Sequence, residues 1–406
     1  MLSRPTQTAA AVSVPGHAWG GRACWAEIDL DVIEANTAAL RRRLTPGAAL
    51  MAVVKANAYG HGIAGIASAM VRGGATAFGV ACVEEGIELR TAGIDLPVLI
   101  LGFVPVTEAP RAVRLDLTIA VASREMAEAL DAAGRATGRP AQVHIKIDTG
   151  MSRFGVQVGA AVDFVRAIAP LPGIVVRGIF THLATADEPG SPLARAQLAR
   201  FDALCRELAS IGLLPGIRHA CNSAGAIVYP DAQLDLVRSG VLLYGIAPGP
   251  DVAAHFVRPA LSLRARIARI STIAPGACVG YGCTFRPTRL TQLALVPIGY
   301  ADGLSRALSN RGRVIVRGVR APIVGTISMD QCTVDVTDIP GAHEGDIVTL
   351  IGTDEEEEIT AEDVATWRNT IPYEVLTGLP IRLPRLYLRA GAPVIAAENG
   401  DLISLS

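Results

Sequence analysis

The sequence has no long apolar run, no surplus of charge of either sign and no C-x-x-C pair. Its longest stretches free of Asp, Glu, Lys and Arg, such as Pro5 to Gly21 and Ile270 to Phe285, are cut by Pro, Gly, Gln or His. None approaches the roughly 18 consecutive apolar residues of a membrane-spanning helix. The weakly apolar Ala9 to Val14 is too short for the hydrophobic region of a secretory signal. Lys and Arg number 37 against 38 Asp and Glu, a net charge of −1, and no basic run of five stands out. No field is available to gather a polyanion, so nucleic acid is not an expected partner. Of seven cysteines only Cys278 and Cys283 lie close together, which argues against a disulfide framework or zinc ribbon and fits a reducing cytoplasm. His61, His144, His219 and His343 lack metal-ligand spacing, so no metal is expected. A Walker loop, internal repeats and low-complexity linkers are absent as well.

What is present is a globular composition: 406 residues, half of them apolar, enough for two domains. From residue 48 to about 244, eight short apolar runs (ALMAVV, AFGVA, PVLIL, DLTIAV, AQVHIKI, IVVRGIF, IRHAC, LDLVRSG) alternate with helix-like segments such as Arg124 to Thr137 and Pro192 to Ile211. That pattern predicts βαβ units, and eight strands are the number that closes a (β/α)₈ TIM-like barrel. After APGPD (247 to 251) the texture turns to strands of alternating polarity, and the fold class is α/β, a barrel followed by a mostly β C-terminal domain. The domains expected are a flexible extension over 1–22, the barrel over 23–250 and the β domain over 251–406, with a strand near 24–30 as a candidate partner for the last. The acidic run Glu355 to Glu358 reads as a solvated loop or helix start.

Barrel active sites are built just past the C-terminal ends of the strands. Lys55, Lys146, His182, Asn222, Ser223 and Arg238 all fall there. Singly, each has an ordinary reading: Lys55 as a lysine snorkelling to water, Lys146 paired with Asp148, Arg238 paired with Asp235. The run AVVKANAYGHG (52 to 62), however, resembles the signature of the alanine racemase family. The resemblance continues in order through HIKIDTGMSRFG (144 to 155), THLATAD (181 to 187), HACNSAG (219 to 225), VRSGVLLYG (237 to 245), GYGCTF (280 to 285), VPIGYADG (296 to 303), ISMDQ (327 to 331) and IPYEV (371 to 375).

The resemblance implies a pyridoxal 5′-phosphate (PLP) enzyme that interconverts L- and D-alanine with two bases and supplies D-alanine for peptidoglycan. Lys55 would form a Schiff base with PLP and act on the D-isomer; Tyr281 would be the base for the L-isomer, with His182 and Arg238 as its relay. Arg238 would face the pyridine nitrogen, and as an arginine stays protonated it would leave that nitrogen unprotonated. Arg153 would bond the cofactor's phenolic oxygen and the substrate carboxylate, and Lys146 stands where many members carry a carbamylated lysine. Asn222, Ser223, Gly240 and Val241, with the hydroxyls of Tyr59 and Tyr373, would hold the cofactor, its phosphate in particular. Tyr300 and Tyr373 would narrow the substrate entrance, Met329 would offer its backbone N–H to the substrate carboxylate, and Asp330 would be structural. Tyr281, Tyr300 and Met329 would come from the partner in a head-to-tail homodimer with shared active sites.

Two other functions share these letters: a serine or broad-specificity racemase with the same catalytic pair, and a non-catalytic PLP carrier, which would need no second base. Cys221 and Gly225 replace the alanines commoner in the family, both small enough to leave the reaction unchanged.

Overall fold

In the computed structural model residues 22 to 405 are described, so the expected extension lies, Arg22 apart, outside the described residues. The chain divides into two compact units: Val32–Ala260 with Asn369–Gly378, and the residues up to Asp31 with Leu261–Arg368 and those from Leu379 onward.

The first strand, β1 (Cys24–Asp29), belongs to the second unit. The first unit is built on β2 (Ala49–Val53), β3 (Ala77–Val80), β4 (Val98–Ile100), β5 (Leu117–Val121), β6 (Ala141–Asp148), the two-residue β7 (Val156–Gln157) beside β6, β8 (Ile174–Phe180), β9 (Ile217–His219) and β10 (Leu236–Ser239). The main path runs β10-β2-β3-β4-β5-β6-β8-β9, every ladder parallel. Two backbone bonds bridge its ends: Asp235 N–H to Arg218 O at 3.1 Å and Arg238 N–H to Cys221 O at 3.0 Å. The result is a nearly closed eight-strand barrel with helices between strands, as the alternation of runs predicts. Strands covered on both faces have no polar side to show, and this is why β3, β4, β5 and β10 are buried throughout.

The coating helices begin and end where the chain chemistry allows. Helix Arg124–Thr137 opens on Ser123, whose Oγ accepts from Met126 N–H at 3.3 Å, and stops at Gly138 in the left-handed region (φ 67°). It docks so tightly that a Cβ on Gly134 would lie 2.0 Å from Gly173 O.

The second unit is mostly sheet. Here β11 (Leu261–Arg266), β12 (Arg269–Ile273), β13 (Thr291–Val296), β14 (Arg313–Val316), β15 (Val319–Pro322), β16 (Cys332–Asp335), β17 (Ile347–Asp354), β18 (Glu357–Ile359), β19 (Arg385–Arg389), β20 (Ala392–Glu398) and β21 (Asp401–Ser404) complete the chain. One sheet runs β15-β14-β17-β11-β1-β19-β20-β21 with β18 on β17; a second runs β12-β13-β16. Strand β1 pairs antiparallel with β11 and parallel with β19. Two sequence expectations are corrected here. Glu355 to Glu358 is neither loop nor helix start but a hairpin: Glu355 and Glu356 form its two-residue turn, Glu355 left-handed at φ 54°, and Glu357 pairs with Arg320. The unit also holds a disulfide, Cys278–Cys283, which the absence of a C-x-x-C spacing did not announce.

Replacing Gly134 by Ala should therefore overpack the helix against the 173 backbone and cost about 1–3 kcal/mol or more. Urea unfolding reads this directly, and an unchanged midpoint would mean that the helix does not dock at that distance.

Candidate active site

Lys55 stands two residues beyond β2, at the head of a backbone turn that is costly to make. Ala56, Asn57, Ala58 and Tyr59 all take left-handed φ values of 51–53°. Non-glycine residues visit this region singly, at about 1–2 kcal/mol each, so four in succession demand external ties. Those ties are present. The Glu85 carboxylate accepts from Ala56 N–H at 2.6 Å and Ala81 N–H at 2.7 Å, Asn57 Oδ1 accepts from Ile63 N–H at 3.2 Å, and the Tyr244 hydroxyl donates to Val53 O at 3.0 Å. The Lys55 side chain is solvent-accessible yet walled by protein, and burial together with the Arg153 guanidinium lowers its pKa while Glu85 opposes them.

The floor of the barrel is organised by Arg238, a 3% exposed guanidinium with no carboxylate partner. Asp235, its expected partner, pairs with Arg218 instead, at 2.9 Å. Arg238 Nη2 donates to Thr181 O (2.8 Å), Ala220 O (3.0 Å) and His182 Nδ1 (3.2 Å), and Nη1 to His219 Nδ1 (2.9 Å). A guanidinium cannot accept, so both of those Nδ1 atoms are acceptors. The pKa of each imidazole is held well below 6.5 by burial and then by Arg238, so each is neutral and carries its proton on Nε2. His219 Nε2 in turn meets His144 Nδ1 at 2.7 Å, with its ring stacked on Phe180 at 4.6 Å. The N–H of Arg238 Nε and the second one on Nη1 make no hydrogen bond with the described residues.

Lys146 is buried in β6. Its Nζ donates to Ile147 O at 2.9 Å and not to Asp148. Burial, then Arg238, brings its pKa down to about 7. The Asp148 carboxylate is occupied by the backbone N–H groups of Gly150, Met151 and Ser152 at 2.9, 3.0 and 3.1 Å, which shapes the loop presenting Arg153. Gly155 closes that loop at φ 136°, where a Cβ would be 2.7 Å from Asp148 N. Arg153 itself is exposed and makes no hydrogen bond or ion pair with the described residues.

Beyond β9, Asn222 caps the next helix by accepting from Gly225 N–H (2.9 Å); Ser223 Oγ accepts from Gly240 N–H (2.9 Å). A Cβ on Gly240 would lie 2.4 Å from the Tyr59 hydroxyl, so glycine brings Tyr59, Ser223 and the start of Val241–Tyr244 to one corner. Tyr59 packs on Tyr373 with centroids 6.1 Å apart; burial, then Asp187, pushes the Tyr373 phenol up to about 12. The barrel unit thus gathers the site residues of both halves of the sequence argument: Lys55, Tyr59, Lys146, Arg153, His182, Asn222, Ser223, Arg238, Gly240, Val241 and Tyr373.

Tyr281, Tyr300 and Met329 belong to the sheet unit, where they are 72%, 43% and 54% exposed. Tyr300 N–H donates to Ser328 O (3.1 Å), Ala301 N–H to Met329 O (2.9 Å), and Thr326 Oγ1 to Tyr281 O (2.8 Å), which ties the three segments together. Asp330 pairs with Arg382, which also bonds the fully buried Asp302. His144, His219 and Glu85 escaped the sequence reading. A histidine inside each of two apolar barrel strands was the available signal; for Glu85 there was none.

A parallel barrel with a lysine amine, a buried guanidinium and paired hydroxyls at its carboxyl end, joined in one chain to a β unit with an exposed tyrosine, defines a barrel-plus-sheet class of enzyme. Family models for "Alanine racemase, N-terminal domain" and "Alanine racemase, C-terminal domain" match residues 28–248 and 260–387. An alanine racemase from Symbiobacterium thermophilum is 46% identical over 369 residues, 91% of this chain and 98% of that protein. Among solved structures, alanine racemase from D-cycloserine-producing Streptomyces lavendulae matches with TM-score 0.86 at 40% identity, covering 92% of this chain and 98% of that one. The Bacillus anthracis alanine racemase with bound L-Ala-P matches with TM-score 0.87 at 32% identity, covering 94% and 98%. The chain belongs to the alanine racemase family.

Burial and then Arg238 lower the His144 pKa from 6.5 to about 4. Above 6.5 neither state holds its proton; below it the unfolded chain takes one up and the folded chain does not, so stability falls as pH drops from 6.5 towards 4. The loss is about 1.4 kcal/mol per pH unit for this one group, with His182 and His219 acting in the same direction. Urea unfolding between about pH 7 and pH 5 checks this: His144→Phe should flatten the slope by one proton.

Proposed function

We propose that the protein interconverts L- and D-alanine with PLP, using Lys55 and the Tyr281 of a second copy as opposing bases. The reading rests above all on Arg238: a buried cation bonded only to carbonyls and neutral imidazoles, with N–H groups to spare, in a chain nearly half identical to a curated alanine racemase.

The donor set suits the cofactor. An amine of lowered pKa, a guanidinium with uncommitted N–H groups, and two hydroxyls around a glycine whose Cβ would close the corner are the partners that an aldehyde, a pyridine nitrogen and a phosphate require. When bound, PLP withdraws electrons from the α-carbon of the attached amino acid. Lys55, with its pKa lowered, takes or returns the Cα proton on one face. Tyr281 does so on the other, since one base cannot reach both. His182, neutral with its proton on Nε2, offers a hydrogen bond that stabilises the ionised phenol. Arg238 donates to the ring nitrogen and withholds a proton from it, restraining side reactions such as transamination. Arg153, free of partners among the described residues, holds the substrate carboxylate together with the Met329 N–H of the second copy. Lys146, with a pKa of about 7, has the neutral amine that attacks CO₂ and would steady Arg153 as a carbamate. Tyr300 and Tyr373 limit the side chain to a methyl group, favouring alanine over serine; a PLP carrier would have no use for the exposed Tyr281 patch.

We place the enzyme in the cytoplasm as a head-to-tail homodimer supplying D-alanine for peptidoglycan. No helix among the described residues is long and apolar enough to cross a membrane. Borohydride reduction of the PLP-loaded protein should label Lys55, and label elsewhere would remove the assignment. Mixing inactive Lys55→Ala and Tyr281→Ala chains should restore about a quarter of wild-type activity, because half the dimers become mixed and each mixed dimer has one intact site. No recovery on proven subunit exchange would rule out shared sites. Labelled bicarbonate should give a carbamate NMR signal that is missing from Lys146→Ala.

A further inference from the structure

The loop that carries Tyr281 is closed by a covalent bond. Cys278 and Cys283 are joined with Cα atoms 4.9 Å apart, enclosing Val279, Gly280, Tyr281 and Gly282. The glycines let the loop take its shape, Gly280 at φ 69° and Gly282 at φ 73°, while Cys283 at φ 47° has a side chain to accommodate in the left-handed region. Below the loop, Val279 is anchored in a buried cluster with Leu293 and Val324, and its N–H donates to Phe285 O at 3.1 Å. Above that anchor the remaining ties are Thr326 Oγ1 to Tyr281 O at 2.8 Å and Cys283 N–H to Gly280 O at 3.3 Å. The Tyr281 side chain is 72% exposed and makes no hydrogen bond of its own with the described residues.

We propose that Cys278 and Cys283 are a redox-sensitive positioning pair for the second base: closed as the disulfide, they fix the direction of the Tyr281 phenol, so that proton transfer on that face is faster than with the open dithiol that a reducing cytoplasm maintains. The proposal rests on the reading of Tyr281 as the base. Cross-linking a loop this short still adds to global stability, though less than closing a long one would, and its second consequence is local. Exposure also favours this pair, through Cys278. Cys24, Cys205, Cys221 and Cys332 are free but buried, Cys82 is half-buried, and Cys278 is exposed. An added dithiol would open the bond by thiolate attack on one sulfur and resolution by its second thiol; the two cysteines gain two electrons and two protons, and the dithiol leaves as its own disulfide.

The test compares full-length, PLP-loaded wild type, oxidised or treated with a dithiol, with the Cys278→Ser/Cys283→Ser double variant, the thiol state being followed by alkylation and mass. Opening the bond should lower kcat about tenfold or more, because a displacement near 1 Å is that costly to proton transfer, with KM for alanine changing little. The double variant should match reduced wild type and ignore the dithiol, which guards against a bond shielded from reagent. Amide exchange across residues 279–284 should rise more than in the rest of the chain. In a Tyr281→Phe background the dithiol should leave the residual rate unchanged. A kcat within about twofold of wild type with the bond shown to be open, or absent, overturns the positioning role; so does oxidised protein that still holds both thiols free. Full racemisation by Tyr281→Phe overturns the base assignment and this proposal with it.

Discussion

A positive charge buried without a negative partner governs the floor of the barrel. Removing a guanidinium from water is costly unless its N–H groups are used, and Arg238 uses them on two carbonyls and two imidazoles. That choice has consequences beyond its own solvation. Because the cation can only donate, it fixes the tautomer of His182 and His219; because it is unneutralised, it adds to burial in depressing the pKa of His182, His219, His144 and Lys146. A carboxylate at the same place would oppose the field and leave burial alone to keep the histidines neutral. The three histidines are therefore neutral at neutral pH for the same two reasons, and Lys146, at about 7, is brought to the point of losing its proton by them.

The same logic extends to Lys55. Arg153 and burial favour the free amine, and Glu85 is the one carboxylate set against them. Glu85 also ties the left-handed turn to the end of β3 by bridging Ala56 and Ala81, so one side chain serves both the strain and the charge. A turn of four left-handed residues persists only where its surroundings over-determine it, and here its product is a lysine at a strand end with Tyr59 folded back over Gly240.

How much of this could be read from letters follows from how locally each feature is encoded. The barrel strands are legible because a parallel strand covered on both faces becomes an apolar run, and Arg124–Thr137 is legible because its cap and period agree. The reactive residues at strand ends are legible by position. The partnership of Arg238 with Asp235 fails on a rule that was available: three residues apart on a strand, they point to opposite faces, and Asp235 turns outward to Arg218. Lys146 and Asp148 do share a face, yet Asp148 is consumed by the N–H groups of its own loop. His144 and His219 meet across β8, where Gly178 leaves room for the His144 ring, and across 75 residues of chain, which no local pattern encodes. The hairpin at Glu355 and Glu356 is hidden for another reason: it spends an acidic pair where turn chemistry favours Asn or Gly, with Arg320 answering one of the charges that follow.

The two units handle their chemistry in opposite ways. In the barrel, charge is buried and precision comes from density: each polar atom around Arg238 is held by packing on several sides. In the sheet unit the tyrosine proposed as the second base is exposed, with nothing packed over it to hold its direction. Precision there has to be supplied through the backbone, by glycines that permit an unusual loop and by bonds that leave the loop few alternatives. A short covalent ring around Gly280, Tyr281 and Gly282 does this with fewer atoms than a packed shell would need, and it leaves the phenol uncovered for a surface that arrives from outside the chain. In the proposed reaction the two bases must act on opposite faces of one carbon. A buried field can tune the first, whereas the second has to be aimed before it is covered.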